Sequence, residues 1–525
     1  MQNRPVARAP AAFYASFLAV RASLLAALAL VGVAAPTHAQ FESRRIVPTI
    51  SSQITWTDNV DFESSANRDS ALVLELVPGV DVNYRGPRSE LRGTVRAPIV
   101  VQGGGDKQGT RIYPQVSLFG RIEPVENFFF IDGNASVTQQ YFSPFGARST
   151  SLANDIDNRH TSQSYRLSPT IHGEFGPLIR YQVRDDNIWT VSNNAPRDSD
   201  VTNSYNNYFS AWVDRVATPY GWRVEYFRNK IDFRQNASEL NQVVRSYGTW
   251  RPDPQVEVGL IAGYEELKLQ LDRQTQDSVI YGALVRWRPT PRTVLDANWQ
   301  HRVGGPSYRV VFENRTPLTV WNAEWSRSLS NYPQELLEFP TSASVPGLLD
   351  QLFLPRIPDP AERELAVARF MQEQGLPSVL SEPFTLFGNQ FRIVERVRAS
   401  IGLLGVRNTI FFNVYHVKTS RVTGVEAPID LPGGEATTQR GAGATWTHRL
   451  TGVTSLVVSA DVVRAESDDF ADRQTDQGFL RANVTTRLTP QTSAFAGIRF
   501  QKLRSDVRPD ARETAVFTGV SHTFR

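Results

Sequence analysis

VIYGALVRWRPTPRTVLDANWQHRVGGPSYRVVFENRTPLTVWNAEWSRSL, residues 279–329, reads as four successive strands interrupted by RPTPRT, RVGGP and NRTPLT. The connectors are rich in proline and glycine, which break a ladder and turn the chain. In the first strand Tyr281, Ala283, Val285 and Trp287 share one face, and Gly282, Leu284, Arg286 and Arg288 share the other. In the second, Leu295, Ala297 and Trp299 alternate with Asp296, Asn298, Gln300 and Arg302. Tyr308, Val310 and Phe312 then oppose Arg309 and Glu313, and Trp321, Ala323 and Trp325 oppose Asn322, Glu324 and Ser326. Side chains of period two put one apolar and one polar face on each strand. A soluble sandwich can contain such strands, but it does not need the pattern to continue over nearly the whole of a 525-residue chain.

Composition narrows the class. The formal charge is +3, yet Arg4, Arg8 and Arg21 lie in the first 39 residues, which hold no acid; the remainder carries 53 basic and 53 acidic side chains. A balanced chain is not a nucleic-acid polycation, so no nucleic-acid partner is expected. With no cysteine there is no disulfide framework, zinc knuckle or thiol nucleophile. The 34 glycines and 32 prolines suit many strands punctuated by turns.

Residues 1–39 read as a signal peptide: three arginines precede the apolar run 22–35, and Thr37, His38 and Ala39 offer a cleavage site before Gln40. A transmembrane anchor is the alternative, but the run is shorter than the roughly 20 residues a spanning helix needs. An exported chain without apolar 20-mers can still cross a membrane as a closed barrel, in which every backbone group is paired.

Residues 40–525 contain about 22 strand candidates (18–24 by stricter or looser counting), and their connectors alternate in length. Short ones such as RGPRS (85–89), RPDPQ (251–255), NRTPL (314–318) and LTPQT (488–492) follow the even strands. Longer polar ones, at 59–69, 141–161, 192–200, 419–435 and 465–475, follow the odd strands. Short turns on a periplasmic rim and long loops on an outer rim characterise transmembrane antiparallel up-and-down β-barrels. The expected fold is therefore all-β, an outer-membrane barrel of a Gram-negative cell embedded in lipid, with both termini in the periplasm.

Two sets of side chains follow from that geometry. Trp222, Trp250, Trp287, Trp321 and Trp446 fall near short connectors and are expected to form a periplasmic aromatic girdle. A charge facing hydrocarbon at mid-bilayer costs about 2–4 kcal/mol for Arg or Lys, so the charged faces should line the lumen. The candidates are Glu257, Glu265, Arg286, Arg288, Asp296, Asn298, Gln300, Arg302, Glu324, Arg481, Asn483 and Arg487.

One insert, 330–388, breaks the rhythm. In DPAERELAVARFMQEQG, Asp359 as cap, Pro360 at the first position, Glu362 three residues after the cap and Gly375 at the end predict one helix, with Leu365, Ala368, Phe370 and Met371 on a partly apolar face. Connector parity places it at the outer mouth as a lid, a plug or a simple cap on an exposed loop.

Chemical motifs are sparse. GGGD at 103–106 lacks the GK[ST] ending of a phosphate loop. The seven histidines show no ligand spacing; His301 and His448 read as rim residues, and no serine is tied to either. No catalytic residue, cofactor or metal site is expected, and an enzyme is the least favoured class. Acid-rich stretches at 154–158 and 466–476 could hold calcium, with solvated loops as the simpler alternative.

The last strand, FTGVSHTFR from Phe517, resembles the terminal signal by which the barrel assembly machinery recognises its clients, with Gly519 and Phe524 at the expected spacing. Phe517 stands at its polar position, His522 where an aromatic is usual, and Arg525 follows the final Phe. Farther back, WTDNV (56–60), PGVDVNYRGPR (78–88), WRPTPRT (287–293), HRVGGPSY (301–308), RNTIFF (407–412) and TQRGAGATWTHRLT (438–451) occur in that order. Together they resemble the outer-membrane β-barrel family associated with the PEP-CTERM/exosortase system and with exopolysaccharide loci. That resemblance implies outer-membrane residence and a link to surface polysaccharide or protein sorting, with exopolysaccharide or its export proteins as the expected partners; it brings no catalytic residues. The leading expectation is a channel or export component. The alternative is a non-conducting surface scaffold whose long loops bind polysaccharide or proteins.

Overall fold

The computed structural model describes residues 43–104, 108–193, 203–233, 238–269, 274–331, 335, 345–374, 383, 391–422, 436–470 and 472–524. Residues 1–39, read above as a signal peptide, lie outside them, as do Gly105 and Asp106 of the GGGD stretch, Gly375, and the side chains of Leu365 and Ala368.

The described strands are β1 (Ser43–Thr57), β2 (Ala71–Arg85), β3 (Ser89–Arg96 and Ile99–Gly103), β4 (Gly109–Ile112 and Gln115–Val125), β5 (Phe129–Tyr141), β6 (Arg159–Phe175), β7 (Ile179–Asn193) and β8 (Ser204–Arg215). They continue with β9 (Tyr220–Phe233), β10 (Ser238–Asp253), β11 (Val256–Leu269), β12 (Gln274–Thr290), β13 (Thr293–Arg302), β14 (Gly305–Arg315) and β15 (Thr319–Ser330). After the insert come β16 (Arg392–Leu404), β17 (Asn408–Arg421), β18 (Thr437–Arg449), β19 (Thr454–Ser467), β20 (Gln474–Arg487), β21 (Thr492–Ser505) and β22 (Ala511–Thr523).

β3 and β4 are each interrupted where Pro98 and Pro114 remove an N–H from the ladder. Gly79 pairs with Arg96 and Leu76 with Ile99, so the register crosses the break without a shift and each counts as one strand. Every neighbouring pair is antiparallel, and β1 pairs with β22 from Thr49 opposite Thr523 to Thr57 opposite Ala515. The result is a closed 22-stranded antiparallel barrel without a free edge.

Short turns gather on one rim, where Ser43 and Phe524 also lie. The opposite rim carries the long connections and, among the described residues, a tight turn at 302–305, where Gly304 and Gly305 adopt φ of +79° and +94°. A side chain there would be strained, which accounts for the glycine pair in RVGGP.

The insert departs from the expectation of one helix. Its described residues include two helices, α1 (Val345–Phe353) and α2 (Pro360–Gln374). α2 starts as the sequence indicates, with Asp359 Oδ1 accepting a 2.8 Å hydrogen bond from the Glu362 N–H. α1 has Pro346 and Gly347 at its start and owes its stability to packing: Val345, Leu348, Leu349 and Leu352 are all buried, against Val320 and Phe411 of the wall. Phe353 meets Phe370 edge-on at 5.5 Å, and Arg363 ties the helices through Asp350 at 2.6 Å.

The site of that packing decides what the insert is. The chain leaves β15 at Ser330 on the long-loop rim, yet Val320 lies one residue into β15 from the short-turn rim and Phe411 three residues into β17. The helix pair therefore sits inside the barrel at its short-turn end. Across the lumen, Glu364 of α2 reaches Arg92 of β3 at 3.2 Å. A second inward segment, 142–158, fills the long-loop half near the seam between β1 and β22. Asn154 lies on Glu513 at 2.8 Å, and Gln477 donates to the Gly146 carbonyl at 2.9 Å.

Candidate functional site

The wall sorts its side chains by alternation. In β11, Leu260 and Tyr264 are exposed on the outside, whereas Glu257, Ile261 and Glu265 are buried on the inside. Tyr281, Val285, Trp299, Trp325, Val414, Leu480 and Val516 extend the outer apolar belt around the barrel. The rings of Trp222, Trp250, Trp287, Trp321 and Trp446 are exposed and lie near the short-turn rim. An apolar exterior around a polar interior suits hydrocarbon outside and water within. This is the wall of a transmembrane barrel.

Inside it, a chamber of about 850 Å³ runs along β7–β16, with Glu335 and Pro383 of the insert among its lining residues. It runs from Arg180 and Arg251 at the short-turn rim to Arg302 and Ser328 at the long-loop end. Glu257, Arg286, Asp296, Asn298, Gln300, Arg302 and Glu324 line it. Glu265 lies fully buried behind it, holding Arg302 at 2.6 Å and Asn241 at 2.7 Å. Arg288 and Arg487 lie exposed at the short-turn rim, away from the chamber. Arg481 and Asn483 are in β20 on another part of the wall, where the Arg481 guanidinium stacks on Phe517 at 4.5 Å. The structure thus brings together seven of the twelve lumen candidates read from sequence.

The same chamber contains residues that the sequence reading did not single out: Arg180 with Asp214, Arg223 and Arg245 with Glu225, Arg251, which pairs with the candidate Glu257, and Arg396 with Glu335 of the insert. Alternation alone would have placed Arg180 and Arg184, which share a strand face, on the lumen side. Their convergence on one wall depends on strand register. Ten arginines and no lysine line the chamber, against six carboxylates.

A second polar cluster pins segment 142–158. Arg499 and Glu513, 2 % and 0 % exposed, meet at 2.6 Å. Thr57 donates to Glu513 at 2.7 Å, and Gln501 bonds both Glu513 and Ser149. The acid-rich stretches are held by protein groups. Asp155 pairs with Arg111, Asp468 with Lys418, Asp469 with Arg421 and Asp476 with Arg464. Among the described residues no group of three His, Cys, Asp or Glu side chains is arranged to hold a metal ion. His301 stacks on Tyr281, and His448 meets the Asn408 carboxamide at 2.8 Å. Gly519 has no room for a Cβ, which would fall 2.4 Å from the Ser52 carbonyl, and the Phe524 N–H bonds the Pro48 carbonyl.

No protein-family model matches the chain, and no curated protein does. Solved structures that resemble it include the siderophore receptor PirA from Pseudomonas aeruginosa (7 % identity, TM-score 0.42, covering 93 % of this chain and 82 % of that one). Others are PirA from Acinetobacter baumannii (7 %, 0.47, 92 % and 81 %) and the outer-membrane channel DcaP of the same species (8 %, 0.30, 94 % and 100 %). At such identities and TM-scores, the fold and function rest on this chain's own register and lining.

Proposed function

We propose that this chain forms a passage across the outer membrane for a hydrated polar polymer and works in exopolysaccharide secretion. The observation that carries this is the chamber itself: a polar-lined space that follows one wall of the lumen from Arg180 and Arg251 at the short-turn rim to Arg302 and Ser328 toward the long-loop end. A lumen closed by 22 strands is too wide for wall side chains alone to fill, so what folds into it sets the bore. The resemblance of the ordered motifs to the PEP-CTERM-associated barrels is what suggests the link to exopolysaccharide. The apolar belt and the expected leader at 1–39 agree with outer-membrane residence.

Planar-bilayer recording of the purified protein tests the reading. Intact barrels should give discrete conductance steps, and deletion of residues 331–391 should enlarge them by freeing the short-turn end. A barrel silent in both forms would end the proposal. One observation favours a scaffold instead: both halves of the lumen contain folded chain. Glycan capture on intact cells by a barrel without conductance would identify that alternative.

A further inference from the structure

The chamber's charges are not presented evenly. Arg180 is 47 % exposed while its partner Asp214 is 13 % exposed; Arg286 and Glu257 stand at 45 % and 10 %, and Arg309 and Glu324 at 62 % and 25 %. In these three pairs the carboxylate lies back against the wall and the guanidinium faces the water. Asp296, which also pairs with Arg286, is itself 41 % exposed, and Arg245 and Arg396 are as buried as their partners. Ten arginines face six lining carboxylates, with Glu265 behind Arg302 as a seventh. The chain beyond residue 39 is charge-balanced, so this excess is local.

The three guanidiniums also climb the wall. Arg180 starts one residue into its strand from the short-turn rim, Arg286 four residues in and Arg309 six residues in. At about 3.3 Å per residue these are roughly 3, 13 and 20 Å along their strands.

We propose that this arginine face is a binding track for a carboxylate-bearing polysaccharide; as a statement of cargo, it rests on the conducting role proposed above. A guanidinium is a planar fork that matches a carboxylate with two hydrogen bonds and is weakly hydrated, which an ammonium is not. The wall carboxylates hold each fork in place and also limit its grip. A passing carboxylate exchanges with one already bound, and solvent-exposed pairs of this kind are individually weak. A track must bind well enough to admit its cargo and loosely enough to release it. A neutral polymer would find hydroxyl partners here but no reason for arginine over lysine or for recessed acids.

The test uses the full chain, with hexagalacturonate as the probe and maltohexaose as the neutral comparator. In detergent at low salt, calorimetry should show hexagalacturonate binding and none for maltohexaose. Arg180→Gln/Arg286→Gln/Arg309→Gln should weaken it roughly tenfold or more, as expected for several exposed ion pairs. Arg464→Gln, at an outward position with Val462, should not. Arg309→Gln alone serves if the triple variant fails to fold. In bilayers under a KCl gradient, the reversal potential should favour chloride and shift toward zero in the triple variant. Equal binding of the two oligosaccharides, or retained binding in the variants, overturns the track. Conductance without discrimination overturns the track and leaves the conducting role. Arginine-dependent binding without conductance keeps the arginine face as a binding site but removes the conducting role, and so overturns it as a track for cargo.

Discussion

Arg499 and Glu513 show how a single position in this barrel can hold two distant parts of the chain. Their pair is almost wholly buried, yet Glu513 also accepts from Thr57 on β1 and from Asn154 on the inward segment. Removing one partner of a buried pair leaves an uncompensated charge, which typically costs about 3–5 kcal/mol. Glu513→Gln should therefore lower the temperature at which the folded band disappears on gels of unboiled samples. It should also expose 142–158 to protease. Replacing both partners, Arg499→Met with Glu513→Leu, should restore most of the barrel's resistance but not the docking of Asn154. Unchanged protease protection in Glu513→Gln would mean that the segment is held elsewhere. From sequence, Glu513 could be assigned to a face, because β-strand alternation is local. Two of its partners, Asn154 and Thr57, are 359 and 456 residues away in the chain, so no local pattern announces them. The 154–158 stretch looked like a surface loop able to hold calcium because its acids and amides are indistinguishable in sequence from solvated ones. The structure turns Asn154 inward and pairs Asp155 with Arg111.

At the scale of elements, the two helices of the insert were unequally legible. α2 carries its own start signals in Asp359 and Pro360, whose effect depends only on neighbouring backbone. α1 is nine residues long, begins Val-Pro-Gly and would not hold in water by propensity. Its helical state comes from burying Leu348 and Leu349 completely against Val320, Phe411 and α2. The position of the pair was equally hidden: connector parity correctly starts the insert at the long-loop rim, but nothing local says that it returns through the lumen. If α1 is the anchor of the plug, Leu349→Ser should weaken docking by about 2–5 kcal/mol, the usual cost of truncating a buried leucine. The expected result is larger or noisier conductance from a barrel whose own thermal resistance is unchanged. A variant that lowers barrel resistance without affecting conductance would show that the helices brace the wall and do not restrict the bore.

At the scale of the molecule, the fold was legible because a membrane barrel repeats one rule around its circumference. The apolar-out, polar-in alternation of residues 279–329 recurs in β11 as Leu260 and Tyr264 against Glu257 and Glu265, and connector length carries the rim assignment. Prolines at 98 and 114 interrupt two strands without altering the strand number, since the register continues through them. Closure is another matter. Alternation cannot say which strand meets which, and a 22-stranded sheet with these faces could in principle remain open. The structure closes it by pairing β1 with β22, with Ser51 opposite Ser521 and both on the lumen face. Directly opposed residues of an antiparallel pair have Cα atoms about 4.5–5.5 Å apart, within reach of a disulfide. The chain has no cysteine, so Ser51→Cys with Ser521→Cys introduces the sole possible bond. Mild oxidation of the folded double variant should close the polypeptide into a ring about 470 residues around, read as a faster band on denaturing non-reducing gels. Because side chains alternate, a slip of one residue would turn one cysteine toward lipid and abolish the bond. The pair Ser51→Cys with Val520→Cys is the matched control: it should remain reduced, and oxidation of that pair instead would place the seam one residue from the register found here.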